Sequence, residues 1–473
     1  MLLLLLAFMT AGAQNIDVSP DYTGSLFAGA DTSRTICIRA ISIEGNRRTR
    51  EYIIRREMQL RAGDSVTIGS LNSELQLLQQ QVYNTNLFLE VKPVVSLAAP
   101  DAVSISLQLK ERWYIFPIPK FQLIDRNINE WLHQYNGDLN RVVYGVKFTH
   151  YNLTGHRDLF RLTLLNGFTR NVALSYFKPV SNKSLNNGFS LNIGVLQNRE
   201  FIYRIDSANK PLLFNNGLFS RKQFSAGIGY NYRKNIRGTH YFNINYTRIR
   251  VADSLTDPKY NPNYFRDAVS HQSFFDFIYT YQYINTNNVT YPLKGTTGTL
   301  RINKRGLGFS GGVNMFSVDG HYNRYWALPK NWFLSCQLSA KTTLPFNQPY
   351  INQRALGYSD VNLRGLELYV VDGVAFAMSR QTVRKKLFTL NIRTPLKSDK
   401  YRVVPFTVFA KTYGDLGMVY NRNAFPTQLN NRLLYTGGFG IDILSIYDAN
   451  LRIEYSFNQL GKNGLFLQVQ SAL

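Results

Sequence analysis

The chain has 473 residues and a formal net charge of +24, and 14% of its residues are aromatic, including 30 tyrosines and 31 phenylalanines. Its two cysteines, Cys37 and Cys336, are too few for a disulfide framework, and we expect both to be free thiols. The basic residues form no block of five or six like charges. Composition therefore does not show whether they face the phosphates of a lipid surface or the inside of a pore.

An apolar run opens the chain, because MLLLLLAFMTAGAQ contains leucines followed by small residues and a polar glutamine. This run predicts a secretory signal peptide over residues 1–13, with cleavage after Ala13, although the usual positive charges before it are missing. A membrane anchor is the alternative, but about ten apolar residues are too few to span a bilayer. A secretory signal also argues against nucleic acid as the partner of this basic chain.

Residues 35–112 predict a small β-α-α-β-β unit. The stretch TICIRAISIEGN alternates like a strand and ends in a Gly-Asn turn, after which Thr49 is placed to cap a helix. A second helix carries apolar residues at helical spacing, and the strands LEVKPVVSL and VSISLQLKER close the unit. The apolar face of the second helix consists of Leu71, Leu75, Leu78 and Val82.

Residues 113–473 alternate apolar and polar side chains with a period of two. In FSAGIGYNYR, Phe224, Ile228 and Tyr230 share one face, and small polar residues occupy the other. A soluble β-sandwich would also alternate, but aromatic outer faces and small polar inner faces are typical of bacterial outer-membrane barrels, which have even strand numbers. We therefore predict a mainly β protein with a 16-stranded antiparallel transmembrane β-barrel. The predicted strands start near residues 114, 143, 158, 171, 187, 219, 239, 272, 296, 316, 331, 385, 402, 433, 449 and 464.

The connections between these strands alternate between short and long. Turns such as ALPKN are short, whereas stretches such as VADSLTDPKYNPNYFRDAVSH are long. In outer-membrane barrels short turns lie on the periplasmic side and long loops lie outside. If the first strand rises from the periplasm, the link between the eleventh and twelfth strands, residues 345–384, is extracellular. This link contains YSDVNLRGLELY, with a single arginine at its centre.

Together these features resemble the BamA/TamA superfamily, outer-membrane barrels preceded by periplasmic POTRA domains. The stretches IEGNRRTREYIIRREMQLRAGD, YNTNLFLEVKP and ISLQLKER follow the POTRA pattern in order, and one such unit fits before the barrel. Within the barrel, NNVTYPLKGTTGTL resembles the family's turn before a mid-barrel strand. The residues that carry the POTRA resemblance are Gly45, Asn46, Phe88, Glu111 and Arg112.

Two further stretches, NLRG and YGDLGMVY, resemble the family's inward-folded loop motif and its Asp-x-Gly strand segment. The resemblance implies that Arg364 reaches into the lumen and pairs with Asp415. A guanidinium can form two parallel hydrogen bonds to one carboxylate, and a following glycine lets the loop turn tightly. In close relatives a second acidic residue lies on the preceding strand, where this chain has Asn391. Leu366 replaces the usual aromatic residue, and the glycines of the two motifs are Gly365 and Gly417.

The last predicted strand, KNGLFLQVQSAL, has the spacing of a barrel-targeting signal but lacks the terminal aromatic residue. The residues at the spaced positions are Lys462, Gly464, Leu467 and Val469.

No stretch predicts an enzyme. The six histidines are scattered and form no HExxH pair, and the chain contains no Gly-x-Ser-x-Gly elbow, P-loop or paired-carboxylate motif. We therefore expect no catalysis, no metal site and no cofactor. The histidines are His133, His150, His156, His240, His271 and His321.

The resemblance implies a factor that inserts or translocates proteins at the outer membrane of a Gram-negative bacterium, with its POTRA domain in the periplasm. Unfolded client proteins would add as a strand to the POTRA edge, for which LEVKPVV is the candidate. Pro117 and Pro119 in the first barrel strand predict a weak seam with the last strand. Other expected partners are outer-membrane lipid or lipopolysaccharide and periplasmic accessory proteins or lipoproteins. The alternatives are a dedicated transporter that secretes one partner protein and a passive pore or surface antigen.

Overall fold

The computed structural model describes residues 22–470 apart from residues 24, 25, 28, 125–135, 137, 183, 307–311, 359–360, 394–402, 423–424 and 446–448. The predicted signal peptide and His133 lie outside the described residues. In this part of the chain no helix is both long enough and apolar enough to cross a membrane.

The N-terminal unit is a four-stranded sheet with two helices. Its elements are β1 (Thr35–Glu44), α1 (Glu51–Glu57), β2 (Ser65–Thr67), α2 (Ile68–Tyr83), β3 (Phe88–Ala99) and β4 (Ala102–Glu111). The strand order is β2-β1-β4-β3, so β2 and β3 form the two edges. The predicted β-α-α-β-β order missed β2, which pairs with β1. A strand of three residues is too short for alternation to reveal it.

Helix α1 begins at Glu51 with Arg50 as its N-cap residue, so the predicted cap at Thr49 is wrong. The Thr49 hydroxyl instead accepts a hydrogen bond from Asn152 Nδ2 at 2.9 Å and lies 3.2 Å from the Tyr114 hydroxyl. Because contacts with the base of the C-terminal unit engage this oxygen, it does not cap the helix.

The predicted apolar face of α2 is buried. Leu71, Leu75, Leu78 and Val82 are each at most 1% exposed, and they pack in one core cluster with sheet residues such as Ile38. Burying an aliphatic side chain of this size stabilises the fold by roughly 1.5–3 kcal/mol. This core holds the sheet together, and no further strand pairs with the outer edge of β3 among the described residues.

The C-terminal unit is an antiparallel sheet of sixteen strands. The sheet curls into a barrel, and residues distant in sequence meet in its interior, as Tyr291 and Asp442 do. Two hairpins, β10–β11 and β18–β19, lie in connections and form separate small sheets. The strands are β5 (Ile115–Leu123), β6 (Val142–Tyr151), β7 (Leu159–Gly167), β8 (Thr169–Lys178), β9 (Asn187–Asn198), β10 (Glu200–Ile205), β11 (Pro211–Asn215), β12 (Arg221–Tyr232), β13 (Gly238–Val251), β14 (His271–Thr286), β15 (Gly295–Arg305), β16 (Met315–Leu328), β17 (Trp332–Leu344), β18 (Arg354–Leu356), β19 (Val371–Asp372), β20 (Ala375–Arg393), β21 (Val403–Tyr420), β22 (Leu433–Leu444), β23 (Asn450–Asn458) and β24 (Asn463–Gln470).

Side-chain alternation along these strands separates an outer from an inner face. On β21 the odd-numbered residues from 409 to 419 are buried, whereas Leu416 and Met418 are each 50% exposed. On β12 a Cβ added to Gly227 would lie 1.9 Å from Oδ1 of Asn245, so amide side chains of a neighbouring strand occupy the space above this glycine. The outer face is therefore apolar and the inner face polar, as predicted.

One strand starts far from its predicted position. Strand β20 begins at Ala375 rather than near residue 385, so the connection from β17 covers residues 345–374 instead of 345–384. The start of β20 turns its apolar residues, Phe376 and Met378, inward to an apolar cluster with the preceding connection. This reversal of the usual pattern hid the strand, whereas the other fifteen predicted starts lie within two residues of the observed ones.

Both cysteines are free thiols, with Cys37 exposed and Cys336 partly buried. Cys336 shares the outer face of β17 with Trp332 and Leu338, which are 43% and 46% exposed. It is therefore part of the apolar wall. Single 3-10 turns complete the fold at Leu139–Arg141, Asp253–Thr256, Pro329–Asn331 and Tyr350–Asn352.

Candidate functional site

The connection between β17 and β20, residues 345–374, folds into the barrel, and Arg364 meets Asp415 on the inner face of β21. Both residues are buried, at 6% and 1% exposure. Arg364 Nε donates to Asp415 Oδ2 at 2.9 Å and Nη2 donates to Oδ1, which gives the two parallel bonds of a bidentate pair. The backbone N–H of Arg364 also donates to Oδ2, at 3.0 Å.

The rest of the Arg364 guanidinium is also bound. Nη1 donates to the Thr382 hydroxyl at 2.9 Å, and Nη2 donates to the carbonyl of Gln381 at 3.2 Å. The guanidinium carbon lies 3.9 Å from the centre of the Tyr413 ring, within the range of a cation–π contact. A buried ion pair stabilises a structure only when its remaining donors are satisfied, and this pair meets that condition.

The two motif glycines let the loop approach the wall closely. Gly365 has φ +89°, and a Cβ there would lie 2.9 Å from the Cβ of Ser456. Its carbonyl accepts a hydrogen bond from Asn458 Nδ2 at 2.8 Å, which ties the loop to β23. A Cβ on Gly417 would lie 3.0 Å from Leu363, so this glycine makes room for the residue before Arg364.

Asn391 does not lie at the anchor, which corrects its predicted role as the second-partner position. It is exposed and pairs with Pro405, whereas the β20 residue opposite Asp415 is Arg380. Arg380 Nε lies 3.7 Å from Asp415 Oδ2, so the second charged group at the anchor is a cation. The late predicted start of β20 placed the wrong part of this strand beside the motif.

A second contact holds the loop to another part of the barrel wall, four strands away from β21, and was not predicted. Arg305 on β15 donates from Nη1 to the side-chain oxygen of Asn352 at 2.9 Å. Arg305 is itself held by Asp276 on β14, with Nε 2.8 Å from Oδ1, and it lies over the ring of Phe274. The loop is therefore attached to two sides of the barrel. No local motif marks this contact, because its members lie on separate strands.

At the end of the barrel away from the N-terminal unit, Asn209 at the tip of the β10–β11 hairpin is fully buried. Its side-chain nitrogen donates to the Val370 carbonyl at 3.1 Å, and its side-chain oxygen accepts from the Leu429 N–H at 2.9 Å. The hairpin thus joins the loop to the connection between β21 and β22.

From the opposite end, the turn between β14 and β15 inserts Tyr291 into the barrel. Tyr291 is 3% exposed, and its hydroxyl donates to Asp442 Oδ2 at 2.8 Å. Asp442 is also paired with Lys411, whose Nζ lies 2.7 Å from a carboxylate oxygen of Glu454. This turn belongs to the stretch that resembles the family's mid-barrel turn, and it narrows the lumen beneath the loop.

The N-terminal unit contacts the same turn. Asn84, the C-cap residue of α2, donates from its side chain to the Thr286 carbonyl at 2.8 Å and accepts from the Val289 N–H at 3.1 Å. The end of α2 therefore positions the turn that carries Tyr291.

The predicted POTRA motif residues shape the sheet and its attachment to the barrel. Gly45 has φ +90°, and a Cβ there would collide with the carbonyl oxygen of Leu109 at 2.0 Å. The carboxylate of Glu111 accepts the N–H groups of Arg48 and Thr49, the latter at 2.8 Å. Asn46 donates to the carbonyl of Thr49 at 3.1 Å.

The remaining two motif residues bond to each other. Phe88 is fully buried, and Arg112 donates from Nε to the carbonyl of Phe88 at 2.9 Å. Arg112 stands between β4 and the barrel, so it fixes the point where the chain passes from one unit to the other.

An ion-pair cluster centred on Glu57 joins α1 to the barrel, and sequence reasoning missed it. Arg233, in the turn after β12, donates to both carboxylate oxygens at 2.6 and 2.8 Å. Arg56 lies 3.0 Å and Arg157 lies 3.5 Å from Oε1. Burial alone would raise the pKa of Glu57, but the charges of Arg233 and Arg157 outweigh burial and hold the pKa at about 2.

The predicted C-terminal signal residues lie on or next to β24. Lys462 immediately precedes the strand and Gly464 is its second residue, while Leu467 and Val469 face outward at 65% and 79% exposure. In the described part of the chain β24 pairs with β23, and no ladder joins it to β5. Residues 471–473 lie outside the described residues.

Within the described ranges, histidine, cysteine, aspartate and glutamate side chains form no group of three suited to a metal ion. Of the described histidines, His240 lies 2.9 Å from the Tyr279 hydroxyl and His321 lies 2.8 Å from Ser339 Oγ.

Comparison with known proteins identifies the N-terminal unit and the overall fold. The POTRA family model, described as surface antigen variable number repeat, matches residues 36–112. No curated protein matches the chain. CdiB from Escherichia coli has a similar solved structure, with a TM-score of 0.50, 13% sequence identity, and coverage of 92% of this chain and 75% of that chain.

Two other solved structures match at lower TM-scores. BamA from Haemophilus ducreyi lacking POTRA domains 1–3 has 18% identity and a TM-score of 0.49, with coverage of 92% of this chain and 84% of that chain. CdiB from Acinetobacter baumannii has 13% identity and a TM-score of 0.48, with coverage of 92% and 73%. Over its described residues, the chain has a sixteen-stranded β-barrel fold similar to that of CdiB from Escherichia coli, preceded by one POTRA domain.

Proposed function

We propose that this protein inserts client proteins into, or translocates them across, the outer membrane of a Gram-negative bacterium. The POTRA domain receives unfolded clients in the periplasm, and the barrel passes them on through its seam. The observation that carries the proposal is the edge of β5, which pairs with no second strand within the described residues, next to a POTRA domain docked beneath the barrel.

The client-binding edge is β3. This edge strand has twelve residues, whereas β2 at the other edge has three. Val94 and Leu97 on β3 are 36% and 52% exposed, so an added strand would find both free backbone groups and apolar side chains. Pro93 removes one donor from the strand but is compatible with an edge position.

The seam is weak because the edge of β5 that points away from β6 lacks two backbone donors. Tyr151 N–H donates to the Tyr114 carbonyl and Ile124 N–H donates to the Arg141 carbonyl, so even-numbered residues of β5 direct their backbone groups toward β6. The backbone groups of odd-numbered residues point away from β6, and Pro117 and Pro119 are both among these residues. Proline has no N–H, so two donors are missing where β24 would pair.

Arg364 of the loop and Tyr291 contact the inner face of the barrel wall, and the hairpin tip contacts the loop. These contacts favour an assembly or translocation factor over a passive pore, since a passive pore needs an open channel. Accessory proteins of the periplasm fit the same scheme as further partners of the POTRA domain.

The test is a disulfide across the seam. One cysteine is placed on β5 and one on β24 in a chain whose native Cys37 and Cys336 are replaced by serine. Oxidation should abolish client insertion and reduction should restore it, while a control disulfide between β23 and β24 leaves insertion intact. Full activity of the oxidised seam variant would contradict the proposal.

Depletion of the protein in its own host distinguishes general assembly from dedicated secretion. Loss of many barrel proteins from the outer-membrane proteome supports general assembly. Loss of one or two secreted or surface proteins, with other barrels intact, supports the dedicated transporter.

A further inference from the structure

A groove of about 1050 Å³ lies between the POTRA domain and the rim of the barrel. Its POTRA wall comes from α1 and the residues after it, including Tyr52, Met58 and Arg61. Its barrel wall comes from the turns at 184–186 and 234–237 and from the adjoining ends of β12, β13 and β14.

This groove opens on the outer face of the barrel. His240, in the groove, shares a face of β13 with Phe242 and Ile244, because strand side chains alternate, and these two residues are 37% and 43% exposed. Tyr281, the partner of His240 on β14, lines the groove as well. Tyr241 has the opposite orientation and lines a different cavity, of about 430 Å³, at the mouth of the lumen. The groove therefore continues into the apolar outer belt.

The groove carries positive charge that the protein does not neutralise. Arg61, Lys234 and Arg237 are exposed, and no hydrogen bond or ion pair of their side chains occurs within the described residues. Two other arginines of the groove are paired, Arg55 with Glu51 and Arg56 with Glu57, and these acids lie outside the lining. None of the described lining residues is an aspartate or a glutamate.

We propose that this groove binds the headgroup of an anionic phospholipid in the leaflet that faces the POTRA domain. The phosphate lies among Arg61, Lys234 and Arg237, and the acyl chains run along the outer face at Phe242 and Ile244. The proposal rests on the membrane placement of the barrel under the proposed function, but not on the identity of the clients.

Three features favour a lipid over an acidic protein segment. The cations border directly on an exposed apolar surface, which acyl chains cover and an acidic peptide would leave in water. Tyr232, Tyr281 and Tyr283 line the groove, and tyrosines with one apolar and one polar end are typical of the membrane–water interface. Basic pockets at this level bind anionic headgroups.

The floor of the groove shows what a bound lipid would stabilise. Arg56 donates to the carbonyl groups of Leu185 and Arg233, the latter at 2.8 Å, and so joins α1 to two barrel turns. A phosphate held by Arg61 on the POTRA side and Lys234 on the barrel side would add a second bridge. The lipid therefore favours the docked position of the POTRA domain.

The experiment measures binding of a fluorescent short-chain phosphatidylglycerol to the purified full chain in non-ionic detergent. The groove variant is Arg61→Gln, Lys234→Gln and Arg237→Gln together. The matched control removes the same charge from exposed sites outside the groove, with Arg39→Gln, Lys92→Gln and Lys330→Gln. Because each basic residue near a membrane contributes to anionic lipid binding, the groove variant should bind at least about tenfold more weakly, and the control should bind like the native chain.

Equal affinity of the two variants would overturn the proposal. If inorganic phosphate at the same concentration as the lipid displaced it completely, the groove would be a site for free anions and not for a phospholipid. Binding of an acidic peptide, but not of the lipid, with the same dependence on the three cations would assign the groove to a protein. A difference in gel migration between heated and unheated samples verifies that each variant is folded. If the triple variant fails to fold, the single variant Lys234→Gln takes its place. Since the assay involves no client, its failure leaves the insertion or translocation function untouched.

Discussion

Two of the ion-pair clusters within the described residues use the same chemistry with the roles reversed. In the lumen the loop supplies the arginine, Arg364, and the barrel wall supplies the carboxylate, Asp415. At the base of the barrel the POTRA domain supplies the carboxylate, Glu57, and the barrel turns supply Arg157 and Arg233. In each case a segment outside the barrel wall is attached to the barrel by a buried bidentate pair.

The clusters differ in their burial and in the number of cations around the carboxylate. Asp415 has a fully buried side chain and faces two arginines, Arg364 and Arg380. Glu57 faces three arginines, one of which, Arg157, has a side chain that is 30% exposed. Water can therefore reach the POTRA cluster more easily. This difference predicts that the POTRA attachment is the weaker of the two.

The largest effect is expected for Arg364→Ala. Removal of one partner leaves Asp415 buried with only the more distant Arg380, which typically costs about 3–5 kcal/mol. The loop should become sensitive to protease in the folded protein, and the free energy of unfolding should fall. Arg432→Ala, at an exposed loop arginine, is the control and should change little.

A double-mutant cycle sharpens this prediction. If Arg364→Ala and Asp415→Ala are coupled, the double variant loses less stability than the sum of the single variants. Full additivity would show that the two side chains do not stabilise each other.

Glu57→Gln tests the POTRA cluster. The substitution leaves Arg157 and Arg233 without their carboxylate, and we expect a loss of about 2–3 kcal/mol, below the usual range for buried pairs because water reaches Arg157. The distance between spin labels on the POTRA domain and the barrel should broaden in distribution. Glu51→Gln, on the exposed side of the same helix, removes only a surface pair and should have little effect.

The pH dependence of this docking follows from the lowered pKa of Glu57. A carboxylate with a folded-state pKa of about 2, against an ordinary value of 4.5, contributes stability that is present above pH 4.5 and is lost as the pH falls toward 2. The label distances should therefore broaden in that window, and Glu57→Gln should remove the transition. A native-like transition in the variant would assign it to another group.

A smaller effect is expected for Tyr291→Phe. The substitution removes one hydrogen bond to the buried carboxylate of Asp442, which costs about 1.5–2 kcal/mol, at the low end for charged acceptors because Lys411 remains. The midpoint of denaturant unfolding measures the loss. Tyr435→Phe, on the outer face, is the matched control, and an equal effect of the two substitutions would exclude a specific role for the bond.

A second pH-dependent effect concerns Asp372 in the loop. Burial raises its pKa to about 7, so its contribution to stability is full below pH 3.8 and is lost as the pH rises through about 7. Tyr358 donates to this carboxyl, and Tyr350 and Arg354 also lie near it. Asp372→Asn should flatten the rise in protease sensitivity of the loop between pH 4 and 7, whereas Asp267→Asn, at an exposed loop position, should not.

Local patterns were sufficient to predict much of the fold. Side chains return to the same face every two residues on a strand and about every 3.6 residues on a helix. The spacing of apolar residues therefore shows which face is buried, both along the barrel strands and on the helix that carries Leu71, Leu75, Leu78 and Val82. The strand pattern failed at β20, where Phe376 and Met378 turn inward to pack on the loop. The loop that packs against them therefore reversed the usual pattern of a polar inner face and an apolar outer face at the start of this strand.

The candidate sites, too, were only partly predictable from the sequence. The pairing of Arg364 with Asp415 was implied by the resemblance of two short motifs to those of a known family, and no local pattern predicted it without that resemblance. The register that sets Arg380, rather than Asn391, opposite Asp415 depends on where β20 begins, and only the folded sheet decides that. The cluster at Glu57 left no local signal at all. Its arginines lie 100 and 176 residues away in sequence, and the docking of the POTRA domain on the barrel turns is what brings their charges together.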